Sequence, residues 1–589
     1  MVRKSWSCGV AAMLFATMVQ ARGDAACSMG KLAELPVTMD EMGPMIDAKV
    51  NGTPVRFTAD SGAFFSIISP GSAQSLHLPL SDAPFGFYIR GINGTASARV
   101  ATVKRLTIAG IDVPHIQFLV AGSETGGAGV VGQNVLGIGD VEYDLPHGEI
   151  RLMKSSGCGR SNLAYWANGR SYSMIAIDPR SPQKPHTIGT VYVNGKAMRA
   201  TFDTGASTSI LSLAAAARAG IRPDGPGVTD GGFTWGFGRK LVRTWIAPMQ
   251  SFAVGDGEQI QHARIRFGAV DDDTDMLVGA DFFIAHRVYV DNANHRLFLT
   301  YEGGPVFNLK ARYEGPAQAA GASPATAAAA PARPADAEGH SRDGGVAMAR
   351  NDLDAAIADF SAAIALAPSE ARYLDARANA YFRDGKPALG RADLDRAIAL
   401  DPADVDARLA RAVGRLHDHD KPGALADLDA ADHAADAAAM ERLRIGAMLA
   451  EAGQPQRAIG QFDQWITAHP DDVRRPTALN SRCWARALAG IELDAALRDC
   501  DAALRTRPGT AAFLDSRGTV RLRRGEWAKA IADFDAALAV APTMAWSRYV
   551  RGIAKLRSGD AAAGKVDIDA ALALWPGIAD EAKAYGIAP

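Results

Sequence analysis

Val55-Arg56-Phe57-Thr58-Ala59-Asp60-Ser61-Gly62 and Met198-Arg199-Ala200-Thr201-Phe202-Asp203-Thr204-Gly205 are two versions of one pattern. Each follows an Asn-Gly turn, Val50-Asn51-Gly52-Thr53 in the first copy and Val193-Asn194-Gly195-Lys196 in the second. Asn-Gly between apolar runs is a strong hairpin signal, because both residues tolerate the positive φ that a tight turn demands. The apolar approach reads as a strand, the Asp turn interrupts it, and an apolar exit leads into a short helix. Each copy then closes on apolar-apolar-Gly, at Val130-Val131-Gly132 and at Leu277-Val278-Gly279. The spacing from Asp to that Gly is 72 residues in one copy and 76 in the other. Both copies end in a strand, turn and strand, Val141 to Leu152 and Val288 to Leu299. A chain that duplicates one carboxylate-bearing module is expected to bring its two carboxylates together.

The duplicated pattern resembles the retropepsin-like aspartic proteases, as a single chain holding two lobes across residues 35 to 302. The resemblance implies two all-β pepsin/retropepsin-like lobes, residues 27–154 and 185–302, joined by a connector over 155–184 rich in Ser, Gly and Pro. It implies that Asp60 and Asp203 form a catalytic pair. Two carboxylates a few ångströms apart do not both stay ionised cheaply, so they share a proton. One then acts as base on a bridging water while its protonated partner polarises the scissile carbonyl. Ser61 and Thr204 are expected to lock the two loops together through their hydroxyls. Gly62 and Gly205 let backbone amides approach the carboxylates, and Gly132 and Gly279 pack beneath as support.

The two loops differ in one respect. Ala206-Ser207-Thr208-Ser209 follows the usual family pattern, whereas Phe64 stands where a small polar residue is commoner. Three readings are open: the ring joins the core, narrows a substrate pocket, or marks a lobe drifting from catalysis. Water exclusion calls for a flap. The Gly-rich segment around Tyr88, Gly91 and Gly94 is the candidate in the first lobe, and Trp235 and Gly236 sit in its counterpart.

At 589 residues the chain exceeds one core, and at roughly 150 residues per domain three or four are expected. A net charge of −2 gives no footprint for nucleic acid. Arg3 and Lys4 precede an apolar run from Cys8 to Val19, followed by Ala21, Ala25 and Ala26. This reads as a signal peptide over residues 1–26, too short to span a bilayer in the mature chain. A lipoprotein anchor at Cys27 is the alternative, disfavoured by Asp24 where an aliphatic residue is wanted. The chain is therefore expected to be exported, to the bacterial periplasm or beyond. Cys27, Cys158, Cys483 and Cys500 remain after the signal, an even number with three possible pairings. Cys27 and Cys158 bracket the first lobe, while Cys483 and Cys500 lie on neighbouring expected helices. No Cys/His cluster has zinc spacing, so neither metal nor cofactor is expected.

Residues 313–336 are dominated by Ala, Pro and Gly and read as a flexible linker. Beyond them, prolines at 368, 402, 470, 508, 542 and 576 leave gaps of 34, 68, 38, 34 and 34 residues. The period is 34, with one four-residue insertion and one missing proline. This resembles tetratricopeptide repeats, whose unit is a pair of antiparallel helices. Gly344, Gly446, Gly518 and Gly552 take the small position of the first helix, and Ala356, Ala458 and Ala530 the close-approach position of the second. Phe360, Phe462 and Phe534 follow, and about seven repeats fit residues 337–578. The expected function is an exported aspartic endopeptidase acting on protein or peptide substrates, with an all-α solenoid that recruits a protein partner. The alternative is a non-catalytic peptide-binding scaffold built from degenerate lobes.

Overall fold

The computed structural model describes residues 27–83, 88–91, 94–123, 127–159, 161–180, 186–234, 241–255, 257–270, 274–307 and 336–589. The expected signal peptide and nearly all of the expected linker lie outside these residues, as do Trp235 and Gly236. The first half is built from strands and the second from helices.

In each lobe the Asn-Gly turns close hairpins, with Asn51 at φ 52° and Asn194 at φ 49°. The strand leading to each Asp is Thr53–Ala59 or Lys196–Phe202. A short strand from later in the chain joins it in parallel, Gly129–Val131 in one lobe and Met276–Val278 in the other. Val131 pairs with Ala59 and Val278 with Phe202. Parallel partners leave the sheet at the same end. The Gly132 and Gly279 turns therefore emerge beside the Asp60 and Asp203 turns.

The lobes are fused through their terminal hairpins. Asp140–Asp144 of the first pairs antiparallel with His286–Asp291 of the second, placing Val141 opposite Val290 and Tyr143 opposite Val288. A single thirteen-stranded sheet results and runs from Ser173–Ala176 through this junction into the first lobe. The second lobe keeps a nine-stranded sheet of its own.

The 155–184 connector is more structured than its composition suggested. Ser173–Ala176 pairs with Arg296–Tyr301 as an edge strand of the junction. Trp166 is buried beneath it against Tyr289, and its indole N–H donates to Thr300 Oγ1 at 2.7 Å. A four-residue strand of the junction sheet therefore lies inside the expected connector. The sequence hid this strand because it is only four residues long and interrupted by loops. Cys27 and Cys158 are disulfide-bonded and tie the ends of the first lobe together, and Cys483 is bonded to Cys500.

The helical half consists of seven antiparallel helix pairs, from Ala337–Arg350 to Ala561–Leu574, followed by a terminal helix, Ile578–Ala584. A Cβ added at Gly344, Gly446 or Gly518 would meet the ring of Phe360, Phe462 or Phe534 at 2.6–2.7 Å. Ala356, Ala458 and Ala530 are fully buried. Small residues at these positions allow the paired helices to approach, and the aromatic ring fills the space left.

A further repeat signature is visible only in the folded chain. Arg377, Arg411, Arg517 and Arg551 each grip an Asp sixteen residues on with two nitrogens, at 2.6–3.0 Å. Asp393, Asp427, Asp533 and Asp567 are buried under these forks. Arg411, Arg517 and Arg551 also reach back to an Asp of the preceding pair. The spacing recurs with the repeat and was present in the sequence. Its meaning required knowing that the two helices face each other at that offset.

The solenoid packs on the lobes at two places. Val346 and Ala349 of the first helix join the lobe core, and Arg350 donates to the Ile284 carbonyl at 2.8 Å. The second contact uses the turn at the four-residue insertion, where Val473 N–H donates to Ser123 Oγ at 2.9 Å.

Candidate active site

Asp60 and Asp203 come together at the lobe interface. The backbone N–H of each is fixed by the neighbouring parallel strand, Asp60 by Val131 and Asp203 by Val278. Asp60 is buried and Asp203 is half-buried. Asp60 Oδ1 accepts from the N–H groups of Gly62 and Ala63, both at 2.8 Å. Asp203 Oδ1 accepts from Gly205 N–H at 2.9 Å and across the interface from Gly62 N–H at 3.1 Å.

The glycines are required by this approach. A Cβ on Gly62 would lie 2.3 Å from Asp203 Cγ, and one on Gly205 would lie 2.3 Å from Asp60 Cγ. Each lobe's glycine therefore cradles the other lobe's carboxylate. Burial pushes the Asp60 carboxyl well above its ordinary pKa, and the charge of Asp203 and a hydrogen bond with it push the same way. The cause is that a second negative charge in a poorly solvated site is expensive, which disfavours ionising both carboxyls at once.

Ser61 and Thr204 form a reciprocal clasp beneath the pair. Ser61 N–H donates to Thr204 Oγ1 at 3.0 Å, and Thr204 N–H donates to Ser61 Oγ at 2.9 Å. Each hydroxyl then donates to the opposite strand, Ser61 to the Phe202 carbonyl at 2.9 Å and Thr204 to the Ala59 carbonyl at 2.7 Å. Ser61 is 1% exposed and Thr204 0%, so no water competes for these bonds.

Gly132 and Gly279 lie against the loops that follow the Asp turns. A Cβ on Gly132 would strike the Ala63 carbonyl at 2.7 Å, and one on Gly279 the Ala206 carbonyl at 2.6 Å. Their N–H groups donate to Ser66 Oγ and Ser209 Oγ. Two supporting residues went unread in the sequence, Asn134 and Asp281. Asn134 Oδ1 accepts from Ser66 N–H and hydroxyl, both at 2.8 Å. Asp281 Oδ1 accepts from Ser209 N–H at 2.8 Å and hydroxyl at 2.6 Å. Burial raises the Asp281 carboxyl to about 6. Each sits two residues after its glycine, which is the signal that would have found both.

The first lobe carries additional support. Gln133 donates to the Ser61 carbonyl at 2.8 Å and accepts from Arg180 at 2.6 Å. Tyr143 stands against the same groups, its phenol pushed up chiefly by burial. Ala280 occupies the equivalent of Gln133 in the second lobe.

Phe64 is half-buried and packs on Phe65 with ring centroids 4.2 Å apart. It does not enter the core, which removes one of its three readings. Of the flap candidates, Tyr88, Gly91 and Gly94 lie in a two-stranded hairpin, Tyr88–Gly91 with Gly94–Ser97. In the second lobe, Thr229–Thr234 pairs with Val242–Pro248 up to the edge of the segment that holds Trp235 and Gly236.

Two β lobes with one Asp loop each, clasped at their interface, define a paired aspartyl-protease module of the retropepsin type, followed here by tetratricopeptide repeats. Residues 46–137 match the family described as "gag-polyprotein putative aspartyl protease", and residues 189–282 match "Aspartyl protease". No curated protein matches the chain. Among solved structures it is similar to YrrB, titled a TPR protein with an unusual peptide-binding site. There the identity is 20% over 32% of this chain and 95% of that one, with a TM-score of 0.28. It is also similar to PilW, a type IV pilus biogenesis factor, at 16% identity over 36% of this chain and 96% of that one, TM-score 0.30. A tetratricopeptide repeat protein from Parabacteroides merdae ATCC 43184 matches at 16% identity over 42% of this chain and 98% of that one, TM-score 0.33.

Proposed function

We propose that the protein is an aspartic endopeptidase whose repeats recruit protein substrates or partners. The observation that carries this reading is the reciprocal cradle of Asp60 and Asp203, in which each lobe's glycine holds the other lobe's carboxylate. In the proposed reaction, the ionised carboxylate takes a proton from a water held between the pair. That oxygen attacks the peptide carbonyl carbon while the protonated carboxyl hydrogen-bonds to, and then protonates, the carbonyl oxygen. Collapse of the tetrahedral intermediate transfers a proton to the leaving nitrogen and regenerates the shared-proton state. The Ser61–Thr204 clasp supplies rigidity, so the carboxylates need little reorganisation during the reaction. The hairpin around Tyr88, Gly91 and Gly94 serves as a flap on this reading, with Trp235 and Gly236 in its opposite number. The paired cysteines suit an oxidising compartment, and with the N-terminal apolar run they support export to the periplasm.

The second reading is a peptide-binding scaffold without catalysis. It is favoured by Phe64 and Phe65, whose rings pack on each other at a tilt in the loop after the first Asp turn. Incubation with an unfolded protein from about pH 3 to 7.5 separates the two readings. Cleavage by the native chain, abolished in both Asp60→Asn and Asp203→Asn, supports the endopeptidase. Peptide binding by all three proteins with no cleavage at any pH supports the scaffold.

A further inference from the structure

Arginine grips many of the buried acids of the repeat array, and two other carboxylates, Glu451 exposed and Glu581 half-buried, flank a cavity. The cavity encloses about 240 Å³ and is walled by helices Glu441–Glu451, Arg475–Ala489 and the terminal Ile578–Ala584. Trp484, Tyr585, Glu451 and Glu581 line it, together with Asn480 and Ser481. Trp546 extends the aromatic wall, 5.4 Å from Trp484 and 6.4 Å from Tyr585 between ring centroids. Neither Glu451 nor Glu581 forms an ion pair with a described residue. Burial and the charge of Glu451 push the Glu581 carboxyl up, and Lys421 offsets this only in part.

We infer that this cavity is a recognition site for a lysine or arginine side chain presented by a partner peptide. Its volume lies below the roughly 300–1,000 Å³ typical of small-molecule sites, so it accommodates one side chain rather than a cofactor. Aromatic faces attract a cation through their quadrupoles, most strongly for tryptophan. Two carboxylates supply the countercharge and the acceptors for its N–H donors. Lys421 offsets the burial of Glu581 only in part, so a cation entering the cavity would be favoured. The terminal helix completes the site by contributing Glu581 and, just after it, Tyr585. Arg523 anchors that end by donating to the Leu488 and Tyr585 carbonyls.

The test passes a degenerate decapeptide library over the immobilised full chain, in an Asp60→Asn background so that peptides are retained rather than consumed. Lysine and arginine are expected to be enriched roughly tenfold over norleucine at one position. That enrichment disappears in Glu451→Gln/Glu581→Gln, and it weakens as salt is raised from about 0.05 to 0.5 M. Glu451 is exposed, so Glu451→Gln alone provides a variant whose folding is not at risk, with enrichment expected to fall severalfold. Enrichment of acidic residues overturns the inference. So does an absence of basic enrichment, or basic enrichment that survives both substitutions. Because the test does not depend on cleavage, its failure leaves the endopeptidase reading standing.

Discussion

Thr204→Val tests whether the two lobes are held as one catalytic unit. Valine nearly matches threonine in shape but removes the hydroxyl. In the structure that hydroxyl accepts from Ser61 N–H and donates to the Ala59 carbonyl, and both partners belong to the other lobe. The site is sealed from water, so both groups are left without a partner. Each buried unsatisfied group costs about 1–3 kcal/mol, so the total is about 4 kcal/mol at the centre of that range. At about 1.4 kcal/mol per factor of ten, this corresponds to roughly a thousandfold loss of protection. Hydrogen-exchange mass spectrometry of the full chain reads it directly. Amides in the first-lobe segment 57–63 should exchange far faster, although the substitution lies in the second lobe. Ser61→Ala should produce the mirror effect on segment 200–206, and the double variant should lose less than the sum. If Thr204→Val leaves segment 57–63 within about threefold of native exchange, under the ~1 kcal/mol of one net hydrogen bond, the clasp reasoning is wrong.

Gly62→Ala places a methyl group 2.3 Å from Asp203 Cγ, so the carboxylates must separate. A displacement of about 1 Å should lower kcat about a hundredfold with little change in KM, measured on any cleaved substrate. Asp60→Asn should be inactive yet more stable than the native chain at neutral pH. The raised carboxyl of Asp60 is not penalised below its unfolded pKa, and it loses stability as pH rises through its higher folded value. Urea melts at pH 3 and pH 7 should therefore show the advantage only at the higher pH. Asp281→Asn recreates the Asn134 arrangement of the first lobe. With the folded pKa at about 6, the native chain loses roughly 2 kcal/mol between pH 4 and pH 7 that the variant keeps, again read by denaturant melts at both pH values. Asp427→Ala removes the buried partner of Arg411 and Arg415, leaving Arg411 on Asp395 and Arg415 on the Gly423 carbonyl, and should destabilise the array by about 1–3 kcal/mol, visible as an earlier helical melt by circular dichroism.

Much of this architecture was legible in the chain because its signals are local and repeated. An Asn-Gly turn specifies a hairpin wherever it stands, and two copies of the Asp turn at matching spacing implied two equivalent lobes. The 34-residue proline rhythm similarly specified helix pairs before any contact was known. Asn134 and Asp281 escaped because a polar residue two places after a glycine is unremarkable until its serine partner is seen. The Arg–Asp forks escaped for the same reason, since a sixteen-residue offset acquires meaning only when two helices lie face to face. Phe64 was undecided because a ring next to a turn points inward or outward according to packing beyond its own segment.

The sequence by itself determined the modules: two β lobes, their Asp loops and a helical solenoid, each dictated by turn chemistry, strand patterning and helix-packing positions within a short window. Tertiary structure alone decided how they meet. It joined the terminal hairpins of the lobes into one sheet, crossed the Gly62 amide to Asp203, and brought Gln133 and Arg180 under the Ser61 carbonyl. It also set the C-terminal helix against Trp484. These contacts join residues far apart in the chain, so their free energy depends on burial and on the absence of competing water. Neither quantity is written in any local stretch of residues.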